Sequence, residues 1–560
     1  MRSTSQLATT PLWQILPENM PLEERVKLTY ARCKSVVQHF STSNSEDVLN
    51  VSPRYWEFHS DPILVMDVSV ATILTIHFNL CVGTLAMYMD SRPDLRQTIE
   101  RLLRFEWNGQ YCLTELGHGL DVINMETTAT LLPTGEFELH TPVAHAAKFM
   151  PPTSPSGIPC VSIVHARLFV EGEDRGPKVF LVKLHDGKTM NEGIISKVLS
   201  PRGGARPVKH CLTYFRNVCL PASALLGSLD RPKDFRAAFF FNISRVISGT
   251  LSMGSLGVSS MRISSYIAAK YSLRRRVVDS CTKQPREIMS FVTQYTLILS
   301  AISQTFVLAA FSEKSRELYV LAEDLTLKHF ISAIFKTTVM KLTATVTLNL
   351  GMRCGAQGLS EVNQLSALNA DMRGAAIAEG DILGISIRFA IELLLGRLAP
   401  PSTPFPNSLL YKHETGLLTD LRAKLASFPD HRSASAERAL LPNCQPLIEA
   451  IGLRLAYDAA RERILDPTVV DMFVANAIAD DPAWFLDNEK LSREKQVEME
   501  VNAVSALLPR LDQLLEQLDV EQYATAPIVS NQRWDRYVQS LETHGAACDS
   551  FGAYEHHSKL

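Results

Sequence analysis

The spacing of apolar residues along this chain changes twice, and that double change limits the folds it can adopt. Residues 1–111 read as helical: Leu22-Glu23-Glu24-Arg25-Val26 opens a helix after Pro21, Asp61-Pro62 starts another, and Pro93 begins a third. The middle one, Ile63 to Met89, is unusually apolar, carries His77, and is expected to be covered on most sides. From 112 to 225 the pattern turns to short β-rich segments, Glu136–His140, Cys160–Phe169 and Lys178–Leu184, separated by Pro-Gly-Ser turns and Asp186-Gly187. Helical spacing returns over 226–399. A proline-rich linker, Ala399-Pro400-Pro401-Ser402-Thr403-Pro404-Phe405-Pro406, separates that unit from a further helical one over 407–560. In the last unit the stripe Val501, Val504, Leu507, Leu508, Leu511, Leu514, Leu515 and Leu518 reads as core. The fold class expected is mostly α with a central β domain.

A chain of 560 residues is too long for one core. A net charge of −3 argues against wholesale binding to nucleic acid or an anionic membrane. No apolar run is expected to span a bilayer; the nearest, Tyr295 to Phe311, is interrupted by Ser300, Ser303, Gln304 and Thr305. Met1 to Leu16 lacks a signal-peptide pattern, so secretion is not expected. The ten cysteines show no metal-ligand spacing and read as reduced, mostly buried thiols, and no metal site is expected. Ser558-Lys559-Leu560 is the tripeptide read by the peroxisomal import receptor, and polar residues 554–557 would leave it accessible. The expected location is the peroxisome.

Cys112-Leu113-Thr114-Glu115-Leu116-Gly117-His118-Gly119, followed by Glu126-Thr127-Thr128-Ala129-Thr130, suits a backbone that approaches a flat polar ligand, because glycine removes the Cβ that would hold it off. This segment resembles the flavin-contacting signature of the acyl-CoA oxidases, the peroxisomal branch of the acyl-CoA dehydrogenase superfamily. Residues 50–400 carry identifiable motifs of that family, whereas 400–560 match only in length and helicity. The resemblance implies a helical N-terminal domain, a β-barrel-like middle domain, a helical bundle and an extra C-terminal helical domain. It also implies a homodimer that uses FAD, with Thr114, Gly117 and Gly119 on the cofactor.

Removing two hydrogens from Cα–Cβ of an acyl thioester needs a base for the α-proton, a hydride acceptor and donors for the enolate. No side chain accepts a hydride, so a cofactor is required. Glu379, in Ala376-Ile377-Ala378-Glu379-Gly380-Asp381, resembles the family's catalytic glutamate, and Ile377 and Ile382 are expected to desolvate it. Cys354-Gly355-Ala356-Gln357-Gly358 stands upstream at the family's distance and implies Gly355 and Gly358 at the cofactor. Tyr271 followed by Arg275 matches the family's FAD-binding arginine, which reaches the neighbouring subunit's cofactor; a guanidinium suits a pyrophosphate. Arg245 falls where the family places an arginine near the substrate.

Departures are concentrated in the β region. Phe149-Met150-Pro151-Pro152-Thr153-Ser154-Pro155-Ser156-Gly157 stands where the family has a Trp-Trp-Pro-Gly-Gly-Leu-Gly-Lys loop, and its prolines remove backbone donors. Pro201-Arg202-Gly203-Gly204, Lys209-His210-Cys211 and Cys219 also differ. The favoured expectation is an FAD-dependent oxidase that introduces a trans-2 double bond into an acyl-CoA and passes electrons to O2, giving H2O2, and the departures fit a specialised acyl chain. The alternatives are a desaturase using another electron acceptor and a non-catalytic acyl-CoA-binding or partner subunit.

Overall fold

A computed structural model describes residues 3–40 and 44–544. The tripeptide Ser558-Lys559-Leu560 lies outside the described residues. Helices fill the chain up to Leu103, ten strands follow between Asn108 and Leu226, and helices resume from Phe235 to Gln539.

The apolar stretch expected as one helix from Ile63 to Met89 is broken. Asp67 leaves the helical region, accepts from the Ser69 amide at 3.1 Å and pairs with Arg32 at 3.1 Å. A carboxylate that caps the next turn and holds a buried guanidinium cannot also continue the preceding one. Beyond it the chain runs as α-helix Val68–Thr75, π-helix Ile76–Val82 and α-helix Gly83–Ala86. His77 is a core staple, bonded to the Leu102 carbonyl and the Gly109 amide, both at 2.9 Å.

The ten strands of this block are β1 Asn108–Cys112, β2 Thr128–Leu131, β3 Phe137–His140, β4 Lys148–Phe149, β5 Cys160–Val170, β6 Glu173–His185, β7 Ile194–Val198, β8 Cys211–Phe215, β9 Val218–Leu220 and β10 Leu225–Leu226; a separate two-stranded hairpin, β11 Arg276–Val278 and β12 Pro285–Glu287, lies among the later helices. A seven-stranded sheet runs β10-β6-β5-β2-β3-β9, and β1 shares the β5 edge with β2; β4-β8-β7 form a second sheet. Both β1 and β2 lie parallel to β5 and pair in turn with residues 160–164 and 167–169, so the chain between them leaves the edge and returns to it a few residues further along. That excursion is the segment 114–125, which carries the glycine signature.

The bundle is built on two long neighbours, Ser244–Arg274 and Leu325–Arg353, with Val292–Leu321 beside them. Val68–Ala86 and Val292–Leu321 are long and apolar enough to span a bilayer by length and composition, contrary to the sequence expectation. Both are largely buried inside the protein, which accounts for their apolarity without a membrane. Of the Leu-rich stripe, Val504, Leu507, Leu511, Leu514, Leu515 and Leu518 are buried, while Val501 is exposed. Among the described residues seven of nine cysteines are buried and all are free.

The proline-rich linker is tied down by a buried ion triad. Arg454 donates to Glu414 at 2.6 Å, to Asp458 at 3.0 Å and to the Pro401 carbonyl at 2.8 Å. All three charged side chains are nearly inaccessible. Removing the cation would strand two desolvated carboxylates. Arg454→Leu should therefore cost about 3–5 kcal/mol and lower the melting temperature; an unchanged melting curve would show that the triad contributes nothing.

Candidate active site

Glu379 stands in a two-residue left-handed turn between helices. The helix Leu365–Ile377 ends, Glu379 adopts φ +54° and Gly380 φ +100°, and Asp381 caps the helix Ile382–Leu394 by accepting from Leu383 and Gly384 amides at 3.0 Å. A positive φ at a non-glycine residue costs about 1–3 kcal/mol and persists only where surroundings enforce it. Here Lys336, fully buried in the Leu325–Arg353 helix, donates to the carbonyls of both Ala378 and Gly380 at 2.5 Å. Thr250 donates to the carbonyl of Glu379 itself at 2.7 Å. All three carbonyls of the turn are thus held from the bundle side.

The carboxylate lies against the Ser244–Arg274 helix at Gly249. A Cβ there would sit 1.2 Å from Glu379 Oε2, so only glycine leaves room for the charged group. Asn79, in the π-helical segment, donates from Nδ2 to Glu379 Oε2 at 3.2 Å and to the Arg245 carbonyl at 2.9 Å. Burial pushes the Glu379 carboxyl up to about 8, against the opposing pull of Lys336, the Asn79 bond and Arg245. Burial likewise pushes the Lys336 ammonium down to about 7. Ile377, expected to shield the carboxylate, is 65% exposed. The desolvation comes from the helix and π-helix packed over the turn, contacts made by residues distant in sequence.

Arg245 joins this cluster through Asn79. Its guanidinium donates to the Asn79 carbonyl and Oδ1 and to the carbonyls of Val48 and Leu49, at 2.8–3.2 Å. It therefore sits one residue removed from Glu379, with its nitrogens engaged by the protein.

The glycine signature is assembled around a residue that sequence reasoning passed over. Glu115 is fully buried and accepts from the amides of Glu126 and Thr127 at 2.7 and 2.9 Å and from Lys148 Nζ at 3.0 Å. The Thr-Glu pair and the Glu-Thr-Thr tail are thus two ends of one clamp, which explains their spacing. The turn itself projects outward. Gly117 donates to the His145 carbonyl at 2.8 Å, Gly119 has open space on its Cβ side, and the Thr114 carbonyl accepts from Phe149 at 2.9 Å. Leu120 Cδ2 comes within 3.9 Å of the Cβ position of Gly384, so this turn and the Glu379 turn adjoin. Tyr111, at the end of β1, has a buried hydroxyl without a hydrogen-bond partner, and the charge of Glu379 acts on it.

The remaining sequence-predicted residues collect elsewhere. Arg275 is exposed at the C-terminal end of the helix that carries Arg245, thirty residues on, or about 45 Å at 1.5 Å per residue. Gly355 and Gly358 form the turn that ends the helix of Lys336, about 30 Å beyond that lysine on the same rise. The two ends adjoin, because Gln294 donates to Ser272 at 2.8 Å and to the Arg353 carbonyl at 3.2 Å. One chain therefore displays two clusters: Thr114, Gly117, Gly119, Arg245 and Glu379 at one end of the bundle, and Arg275, Gly355 and Gly358 at the other.

The altered loop at 149–157 is pinned to its sheet. The Met150 carbonyl is bonded to His210 Nδ1 at 2.5 Å and the Pro151 carbonyl accepts from Cys211 at 3.2 Å. Thr153 is occupied by Ser196 and Thr213. Pro151 and Pro152 offer no backbone donors to a group lying against this loop.

A helical scaffold with an inserted sheet is the architecture that this chain shares with solved acyl-CoA oxidases. Residues 247–393 match the family model for the acyl-CoA oxidase C-alpha1 domain. The chain is 26% identical to peroxisomal acyl-coenzyme A oxidase 3 of Homo sapiens over 70% of its own length and 60% of that protein. It is 28% identical to the acyl-coenzyme A oxidase of Eremothecium gossypii, over 64% and 53% respectively. The chain spans about half to three-fifths of the length of these curated relatives. Acyl-CoA oxidase 1 of Yarrowia lipolytica superposes with a TM-score of 0.83, 16% identity, and coverage of 97% of this chain and 90% of that one. An acyl-CoA oxidase 1 of Caenorhabditis elegans, solved with FAD and ATP, gives a TM-score of 0.75 at 18% identity, with coverage of 96% and 89%. The structural likenesses establish the fold, and residues 247–393 match the acyl-CoA oxidase C-alpha1 domain within it.

Between the ordinary carboxyl value of 4.5 and about 8, the folded chain keeps a proton on Glu379 that the unfolded chain releases, so this group favours unfolding more as pH rises through that window. Glu379→Gln should melt at a higher temperature than the unaltered protein, by a margin that widens from about pH 5 to about pH 8. A margin independent of pH would mean the carboxyl ionises normally.

Proposed function

We propose that this chain is a peroxisomal FAD-dependent acyl-CoA oxidase, forming a trans-2-enoyl-CoA and, with O2 as acceptor, H2O2. The observation that carries the reading is the Glu379 carboxyl, desolvated and immobilised where the bundle meets the glycine signature turn. A carboxylate whose affinity for a proton is raised toward neutrality is a stronger base for a weakly acidic α-proton than an exposed one.

The residues present fit FAD. The Cβ-free, open side of Gly119, the Thr114 side chain and the unpartnered Tyr111 hydroxyl offer close approach and hydrogen bonds beside Glu379. FAD, when bound, supplies the acceptor for the β-hydride and the route for electrons to O2. Glu379 takes the α-proton; Lys336 and Thr250 keep its backbone still while it does so. The tens of ångströms between Glu379 and the Arg275–Gly355–Gly358 cluster give the homodimer its reason. In this reading the far end of one subunit completes the cofactor site of the other, with Arg275 on the pyrophosphate. Peroxisomal residence follows the printed names of human and Arabidopsis thaliana relatives.

The pinned, proline-bearing loop at 149–157 favours one second reading, a non-catalytic acyl-CoA-binding or partner subunit of the same fold. Purified protein decides between them. The oxidase reading expects a yellow preparation that releases peroxide when given acyl-CoAs, and Glu379→Gln that keeps the colour but loses about a hundred- to ten-thousandfold in kcat, the range for a removed general base. Colourless protein that cannot be loaded with FAD would exclude it.

A further inference from the structure

Asn79 is bonded on every polar atom, and its orientation is set by partners of one sense only. Its Oδ1 accepts from Arg245 Nη2, Tyr55 Oη and Ser248 Oγ, each at 2.9 Å. Its Nδ2 donates to the Arg245 carbonyl at 2.9 Å and to Glu379 Oε2 at 3.2 Å. A guanidinium can only donate and a carbonyl can only accept, so an inverted amide would face like against like at two contacts. The backbone carbonyl of Asn79 also accepts from Arg245 Nε at 3.1 Å. This residue lies in a π-helix, a wide turn that recurs at functional sites.

We infer that Asn79 is a positioning residue for Glu379: its locked amide donor aims the carboxylate and keeps it more ionisable than burial alone would leave it. The inference rests on the reading of Glu379 as the base. The other charged or titratable groups facing that carboxylate are Lys336 from the Leu325–Arg353 helix, Arg245 from the Ser244–Arg274 helix, Asp381 on its own turn, Tyr55 from Pro53–Ser60 and Tyr111 from β1. Lys336 is spent on the turn's carbonyls and Arg245 on Asn79 and residues 48–49. The amide of Asn79 is thus the donor that meets the carboxylate directly among the described contacts.

The test titrates Glu379 in the full-length, ligand-free protein by the infrared band of its protonated carboxyl, identified by its loss in Glu379→Gln. Asn79→Asp keeps acceptors for Arg245, Tyr55 and Ser248 while turning an acceptor toward Glu379. Its Glu379 midpoint should rise by about one pH unit or more, a tenfold change in the ionised fraction. In FAD-loaded enzyme the rising limb of kcat against pH should move by the same amount, with KM for acyl-CoA little altered. Tyr55→Phe, a milder change that removes one of the three donors fixing the amide, should move the midpoint in the same direction and carries the test if the aspartate variant does not fold. A midpoint unmoved in the folded variant would overturn the role of Asn79. Turnover retained in Glu379→Gln would instead overturn the base while leaving the titration result standing.

Discussion

A single buried carboxylate sets the requirements that the surrounding structure meets. Placing Glu379 out of water raises its proton affinity, which chemistry on a weak carbon acid needs, and destabilises the folded chain above the ordinary carboxyl range. The compensations are local and specific. A glycine at 249 makes the space, an amide at 79 supplies one donor, and a lysine and a threonine hold the strained backbone from behind. None of these could be exchanged for a larger or apolar residue without displacing the charge or freeing the turn.

Two long helices convert that local arrangement into a molecular one. The helix of Arg245 runs on to Arg275, and the helix of Lys336 runs on to Gly355. Each therefore couples an element beside the carboxylate to one at the opposite end of the bundle. A rigid pair of this length cannot bring both ends to one small ligand within a single chain, which is why the proposed cofactor site draws on two subunits.

Much of this was legible in the sequence, for physical reasons that differ by feature. The β block between helical regions was readable because alternation and turn residues are local signals; β5 ends within one residue of the expected strand, whereas β6 begins five residues before it. That Glu379 sits in a turn between helices was readable because the glycine of Glu-Gly-Asp admits the positive φ that the turn requires. Its supports were not: Asn79 is three hundred positions away and carries no motif of its own, and Lys336 looks like any helical lysine. The break at Asp67 was missed because an ion pair with Arg32, a tertiary contact, overrode a continuous apolar run. The shielding assigned to Ile377 failed for a related reason, since adjacency in sequence placed it on the exposed face of its helix.

The buried carboxylate of Glu115 works as a ruler. It grips Lys148 on one side and two successive amides eleven and twelve residues ahead on the other. The loop between is free to vary in chemistry but not in contour length. Lengthening or shortening it by one residue would either tear an ion pair out of a dry interior or drag the glycine corner away from the neighbouring helix. The gap in the signature is thus a mechanical tolerance of the sheet's edge, and substitutions inside it should be far better borne than insertions.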